Sequence, residues 1–371
     1  MSLYLDNAAT TKIHKDVLDA MIKSLEYYGN SESRYYDIAE KAKENIQCSR
    51  ETIAKLVCCN PENVIFTSGA TEANNLIIKG LADATPTKKK IIISSIEHSS
   101  IEEPCAYLAS KGYEVIKIKV DNTGLIDLKQ LKLEIDENTL LVSIIWANNE
   151  IGTIQQMHEI DKICYEANVF LHSDATQAIG KIDIDLEQYL ALKSITFTSH
   201  KIYGPKGIGC LILKKDNNDI KYKVTPLLHG GEQEQGYRAG TLSNELIVGF
   251  GKACELLLKD RLSSNEILST LEKELIRKFT VIFGNAFKIN NNWEHRIPGL
   301  INAQIIGFNN ALLLKKVKEI FSASTGSSCS VSKPSRVLKE IGLSDKEIDC
   351  SIRLSLSKYT KIVDLDILDK L

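Results

Sequence analysis

The chain has 371 residues, 43% hydrophobic and 25% charged, enough for one large core plus a smaller lobe. Its 46 basic and 48 acidic residues leave a formal net charge of -2, so no global field draws it to nucleic acid or to an anionic membrane. Nine scattered cysteines make no CxxC pair and no zinc-ligand spacing, which argues against a secreted disulfide scaffold and against a metal site. The first residues, Met1-Ser2-Leu3-Tyr4-Leu5-Asp6, show no charged leader, and no run approaches the roughly 20 apolar residues of a membrane span. A reduced, cytoplasmic protein is expected.

In chain order, a long helical pattern covers 37–56. Short apolar runs at 64–67, 91–95, 115–118, 141–146, 169–172, 194–198 and 209–213 read as strands buried on both faces. Helical patterns at 72–83, 101–110 and 157–167 lie between several of them, the rhythm of a doubly wound α/β layer. A helical pattern at 244–258 connects to a second lobe. From 264 the order becomes helix, strands, helix, loop, helix, an α+β composition. The boundary is placed near residue 260, and 285–298 is read as a long surface connection.

Four segments could carry chemistry. In Val64-Ile65-Phe66-Thr67-Ser68-Gly69-Ala70-Thr71-Glu72 a buried strand gives way to small residues and a helix start. Such an end can seat a phosphate, though the same spacing also makes an ordinary cap. In Phe170-Leu171-His172-Ser173-Asp174-Ala175-Thr176-Gln177, Asp174 follows a strand. There a carboxylate can hold a protonated ring nitrogen, or simply cap the next helix. In Thr198-Ser199-His200-Lys201-Ile202-Tyr203-Gly204-Pro205, Lys201 follows another strand. A lysine lodged in a mostly buried site can form a Schiff base, while most lysines are surface residues. In Ser324-Thr325-Gly326-Ser327-Ser328-Cys329-Ser330, one thiol sits in a loop of small residues, which suits a mobile nucleophile as well as an incidental cysteine. Together, strand-end aspartate, strand-end lysine and helix-end phosphate seat are the parts of a pyridoxal phosphate site.

These residues resemble the NifS/IscS-type cysteine desulfurases of the class V aminotransferase family. The resemblance runs nearly the whole length, through Tyr4-Leu5-Asp6-Asn7-Ala8-Ala9-Thr10-Thr11, the helix start at 68–74, Glu97-His98, Asn148-Asn149-Glu150-Ile151-Gly152, His229-Gly230-Gly231-Glu232, Arg238-Ala239-Gly240-Thr241, Ser328-Cys329 and Ser351-Ile352-Arg353-Leu354-Ser355. It implies an α/β fold, the aspartate-aminotransferase-like fold of pyridoxal-phosphate-dependent transferases. Its large domain, 15–260, would hold a mostly parallel sheet. A smaller α+β domain, 1–14 with 261–371, would carry a mobile Cys329 loop.

The resemblance also implies roles. Lys201 would carry the cofactor, pyridoxal 5'-phosphate, and later remove the substrate Cα proton. Asp174 would pair with the ring nitrogen, Gln177 with the ring hydroxyl, and His98 would stack on the ring and shuttle protons. Ala70, Thr71, Thr198 and His200 would hold the phosphate, with Thr241 reaching it from the other subunit of a homodimer. Asn149 and Arg353 would bind the carboxylate of L-cysteine. Cys329 would take its sulfur as a persulfide, with His98 as proton acceptor for the thiol, releasing alanine. The sulfur would pass to an acceptor protein, a scaffold for iron–sulfur cluster assembly or a thiolase modifying tRNA or DNA. Two departures stand out: Thr198-Ser199-His200-Lys201 replaces the usual Ser-Gly-His-Lys, and Ser33-Arg34-Tyr35-Tyr36-Asp37 replaces a histidine and glycine. The rival readings are a selenocysteine lyase or another class V pyridoxal enzyme, separated by Cys329, and a non-catalytic scaffold, opposed by the intact Lys201, Asp174, His98, Cys329 and Arg353. Direct nucleic-acid or membrane binding is not expected.

Overall fold

The computed structural model describes residues 2–33, 35–216, 218–291, 293–326 and 334–371, and every side chain among them except those of residues 261 and 262. Cys329 lies outside the described residues. The strands are β1 (Leu3–Tyr4), β2 (Val64–Thr67), β3 (Lys90–Ser94), β4 (Glu114–Ile118), β5 (Thr139–Ser143), β6 (Phe170–Asp174), β7 (Leu192–Thr198), β8 (Gly209–Leu213), β9 (Phe287–Ile289), β10 (Leu300–Ile305), β11 (Phe321–Ser322) and β12 (Ser351–Ser355). The α-helices are α1 (Lys15–Ser24), α2 (Asp37–Leu56), α3 (Ala70–Ala84), α4 (Ser99–Ala109), α5 (Leu128–Glu134), α6 (Met157–Glu166), α7 (Asn244–Phe283), α8 (Asn310–Val317), α9 (Arg336–Glu340) and α10 (Asp345–Asp349).

Seven strands form the central sheet in the order β2-β8-β7-β6-β5-β3-β4. β8 alone runs antiparallel to its neighbours there, β2 and β7; the other pairs are parallel. Both faces are covered, which is why these strands are apolar without alternation. Val64, Phe66, Ile92, Val142, Cys210 and Ile212 join one core with residues of α2, α6 and α7. Ile65, Ile91, Ile93, Leu141, Leu211 and Leu213 join another with residues of α3 and α4. β2, β3, β5, β6 and β7 all end at the same edge of the sheet, where a doubly wound sheet binds its ligands.

The second lobe holds the antiparallel sheet β12-β10-β9 and the parallel pair β1-β11. Its core joins Leu3 and Leu5 to Leu271, Leu275 and Phe279 of α7 and to Ile301, Ile352 and Leu354. The expected break near 260 falls inside α7, one helix of 40 residues. Between 252 and 283 there is no glycine or proline to stop it; Gly284, at φ +53, ends it. The segment expected as a surface connection at 285–298 instead contributes β9. Within it Asn291 is fully buried and donates to the carbonyls of Ile151 and Leu300.

Candidate active site

The strand ends surround a cavity of about 460 Å³, within the range of cofactor pockets. Its walls include Ala70, Thr71, His98, Asn149, Asp174, Gln177, Thr198, His200 and Lys201. The structure thus brings together nine of the expected residues from five separate segments. Thr241 is exposed and away from this wall, and Arg353 stands behind it.

β2 leads through Ser68 and Gly69 into α3, whose N-terminus has no side-chain cap. Its first-turn N–H groups and dipole therefore meet the cavity as an anion seat. The turn lies hard against β8: a Cβ on Gly209 would sit 2.7 Å from the Gly69 Cα, so only glycine fits there. Glu72 accepts from the Ser68 N–H (2.8 Å) and from Arg238 (3.0 Å), tying the loop that leads to Thr241 to this helix start. The Thr198 hydroxyl donates to the Ile208 carbonyl (3.0 Å). The His200 Nδ1 lies 3.2 Å from the Thr10 hydroxyl. Burial and the charges of Lys201 and Lys206 push the His200 pKa down to about 4, so the ring is neutral at physiological pH.

Asp174, the last residue of β6, is buried. Its carboxylate accepts from the Thr176 N–H (2.9 Å) and from Asn74 Nδ2 (2.9 Å). Asn74 is the hub of the site. Its Nδ2 also donates to Ser100 Oγ (2.8 Å), while its Oδ1 accepts from the Thr196 hydroxyl and meets His172 Nε2 at 3.2 Å. Burial lowers the His172 pKa, so that ring too is neutral.

His98 precedes α4 and caps it, its Nδ1 accepting from the Ser100 N–H (3.1 Å) and lying 2.8 Å from Ser100 Oγ. Because Nδ1 accepts the Ser100 N–H it carries no proton itself, so the Ser100 hydroxyl donates to it. Nδ1 is thus an acceptor twice over, and the neutral ring carries its proton on Nε2. Burial is the largest influence on His98 and lowers its pKa. The proton acceptor expected here is, in its neutral form, a donor at Nε2.

Beside it Glu97 is fully buried. Its Oε1 accepts from Ser94 Oγ (2.6 Å) and from the Ile145 N–H (2.7 Å), joining the exit of β3 to that of β5. Burial pushes its pKa up to about 8.

Lys201 follows β7 and donates to the carbonyls of Ala8 and Ala9, both at 2.6 Å. Gln177 donates from Nε2 to the same Ala8 carbonyl (2.8 Å). Arg353 is fully buried. It donates to the Asn149 carbonyl (2.9 Å) and to Asp6 Oδ1 (2.8 Å), while its Nε–H has no partner among the described residues.

These residues fit pyridoxal phosphate. A helix N-terminus opens on the cavity, a buried carboxylate stands at a strand end, an amine lies across the cavity, and the buried Thr176 hydroxyl on its wall has no partner among the described residues. Sequence reasoning missed Asn74, Ser100 and His172. For Asn74 a signal existed: it falls on the same helical stripe as Ile78 and Leu81, both buried.

The profile of the family Aminotransferase class-V matches residues 3–368. The chain is 37% identical to "Cysteine desulfurase IscS" of Rickettsia typhi over 375 residues, 99% of this chain and 89% of that protein. The chain belongs to the class V aminotransferase family, among its cysteine desulfurases. A solved "NifS-like protein" superposes with a TM-score of 0.92 at 32% identity, covering 100% of this chain and 98% of that one. A structure titled "SspA in complex with cysteine" superposes with a TM-score of 0.85 at 34% identity, covering 97% and 100%. Like its family, the chain is a pyridoxal-phosphate-dependent enzyme of the aspartate-aminotransferase-like fold. Among the described residues no helix is long and apolar enough to cross a membrane, and no cluster could hold a metal ion.

Proposed function

We propose that this cysteine desulfurase converts L-cysteine to L-alanine, taking the sulfur onto Cys329 as a persulfide. The convergence of Lys201, Asp174 and His98 on one cavity beside the open α3 N-terminus carries the reading. When bound, pyridoxal phosphate supplies an electron sink that stabilises negative charge at the substrate Cα.

The protein's own groups do the rest. Ala70, Thr71, Thr198 and His200 hold the phosphate, with Thr241 of a second subunit completing the seat in a homodimer. Asp174, held by Asn74 and Thr176, would face the ring nitrogen and hold a proton there. Gln177 would donate to the ring oxygen, and His98 would lie against the ring from the same cavity. Asn149, on the cavity wall, and Arg353, held behind it by the Asn149 carbonyl and Asp6, would orient the substrate carboxylate. Lys201 Nζ takes the Cα proton. The Cys329 thiolate attacks the substrate sulfur, forming an S–S bond as the C–S bond breaks, and the carbon is protonated to give alanine. The Cys329 proton leaves to a base of the site or to water.

The solved relative titled as a complex with cysteine supports the substrate. The relatives named IscS favour delivery to an acceptor protein for iron–sulfur assembly, with thio-modification of tRNA or DNA the other destination. The test is alanine formation from L-cysteine by wild type and by Cys329→Ala. Cysteine-dependent alanine in wild type, lost in the variant, supports the proposal; equal turnover in both moves the chain to the lyase or aminotransferase reading.

A further inference from the structure

Lys181 lies four residues beyond Gln177, in the turn that follows β6, and no role is yet attached to it. Its ammonium donates to the Gln177 backbone carbonyl (3.2 Å) and to Gln177 Oε1 (2.8 Å). Among the described residues no carboxylate pairs with it. It lines a small cavity of about 40 Å³ shared with Asn7, Ala8 and Lys201, directly behind the larger one. The charged groups around it are Lys201 and Arg353, and Lys358, which is itself paired with Asp260 (2.9 Å).

An ammonium has three donors and no acceptor. The Gln177 amide must therefore turn its oxygen to Lys181 and its NH2 group away. One N–H of that group goes to the Ala8 carbonyl, which Lys201 also uses. The second is left for the large cavity. Without Lys181 the amide could flip and present its oxygen instead.

We propose that Lys181 is a positioning residue of the cofactor site, holding Gln177 as a donor toward the cofactor's ring oxygen and placing a second cation beside Lys201. This rests on the pyridoxal phosphate reading. Burial, with the charges of Lys201 and Arg353, pushes the Lys181 pKa down to about 7, so the amine is fully a cation only below that pH and its charge acts on the site mainly there. Both effects act in one direction. A donor to the ring oxygen and a nearby cation each make the Lys201-linked nitrogen easier to deprotonate.

The test is the pH titration of the visible absorbance of protein loaded with pyridoxal phosphate, for wild type, Lys181→Met and Lys181→Arg. The Met variant is expected to titrate about one pH unit higher, a tenfold shift in the proton equilibrium. The Arg variant, which keeps donor and charge, is expected to stay near wild type. Melting curves run beside the titrations. A midpoint in Lys181→Met equal to wild type overturns the proposal, whether or not its melting temperature falls; so does an equal shift in both variants. If Lys181→Met does not fold, Lys181→Gln, which keeps a donor but no charge, takes its place with a smaller upward shift expected and the same refutation. A wild type with no visible band would instead refute the cofactor reading itself, so the two failures are distinct.

Discussion

Replacing Asn74 by alanine removes one fully buried amide and four hydrogen-bonding contacts at once. The Ser100 and Thr196 hydroxyls can rotate toward other partners, but Asp174 Oδ2 and His172 Nε2 are left without theirs. A buried polar group left unpaired costs about 1–3 kcal/mol, so two imply a loss of about 2–6 kcal/mol in stability. Asp174 keeps only its bond from the Thr176 N–H and no longer faces the cavity at a fixed angle. Losing one bond to a charged group, worth about 1.5–3 kcal/mol, weakens cofactor affinity by about tenfold to a hundredfold. Titration of the apoprotein with pyridoxal phosphate, read by absorbance, measures the second effect, and thermal unfolding the first. Asn75→Ala is the control, because that half-buried side chain, among the described residues, bonds the Thr71 carbonyl of its own helix (3.0 Å), and a change within about 0.5 kcal/mol is expected. An Asn74→Ala protein with wild-type affinity and an unshifted melting curve would refute the hub.

Three further outcomes are expected. Glu97 keeps its proton in the folded chain up to about 8 and loses it near its ordinary 4.5 when unfolded. Between those values the folded state binds the extra proton, so this group's stability contribution falls as pH rises, by about 1.4 kcal/mol per unit. Glu97→Gln keeps the acceptor for Ser94 and Ile145 and should flatten that slope in melting curves; parallel wild-type and variant curves would count against the assignment. Gly209→Ala pushes a Cβ against the Gly69 backbone. It should cost about 1–3 kcal/mol and displace the phosphate seat, read as weaker cofactor binding. Arg353→Lys loses the planar fork while its neighbours Asp6 and Asn149 remain, and KM for L-cysteine should rise about tenfold to a hundredfold. An unchanged KM would remove Arg353 from substrate binding.

The sheet was legible because most of its strands carry short apolar runs without alternation, and their positions follow the pattern closely. The course of α7 was not. The polar stretch at 260–264 reads as an end, but it marks only the passage of the helix from the large core to Leu268, Leu271 and Leu275 of the second one. β9 and Asn291 were missed for a related reason: polarity was taken for exposure, whereas Asn291 is polar because it must satisfy backbone groups inside the protein. Asp174, Lys201 and the α3 N-terminus stood out as chemistry at strand ends. Asn74 and Ser100 did not, because they act on other side chains and only the fold brings them near. The His98 cap shows the same limit. The residue was legible, but which nitrogen holds the proton depends on where α4 begins.

The most direct measurement is mass spectrometry on intact peptides. Borohydride reduction of the loaded protein should leave a phosphopyridoxyl group on Lys201, and brief exposure to L-cysteine should leave one additional sulfur on Cys329. Label on another lysine, or sulfur that never reaches Cys329 while alanine is still formed, would contradict the assignment.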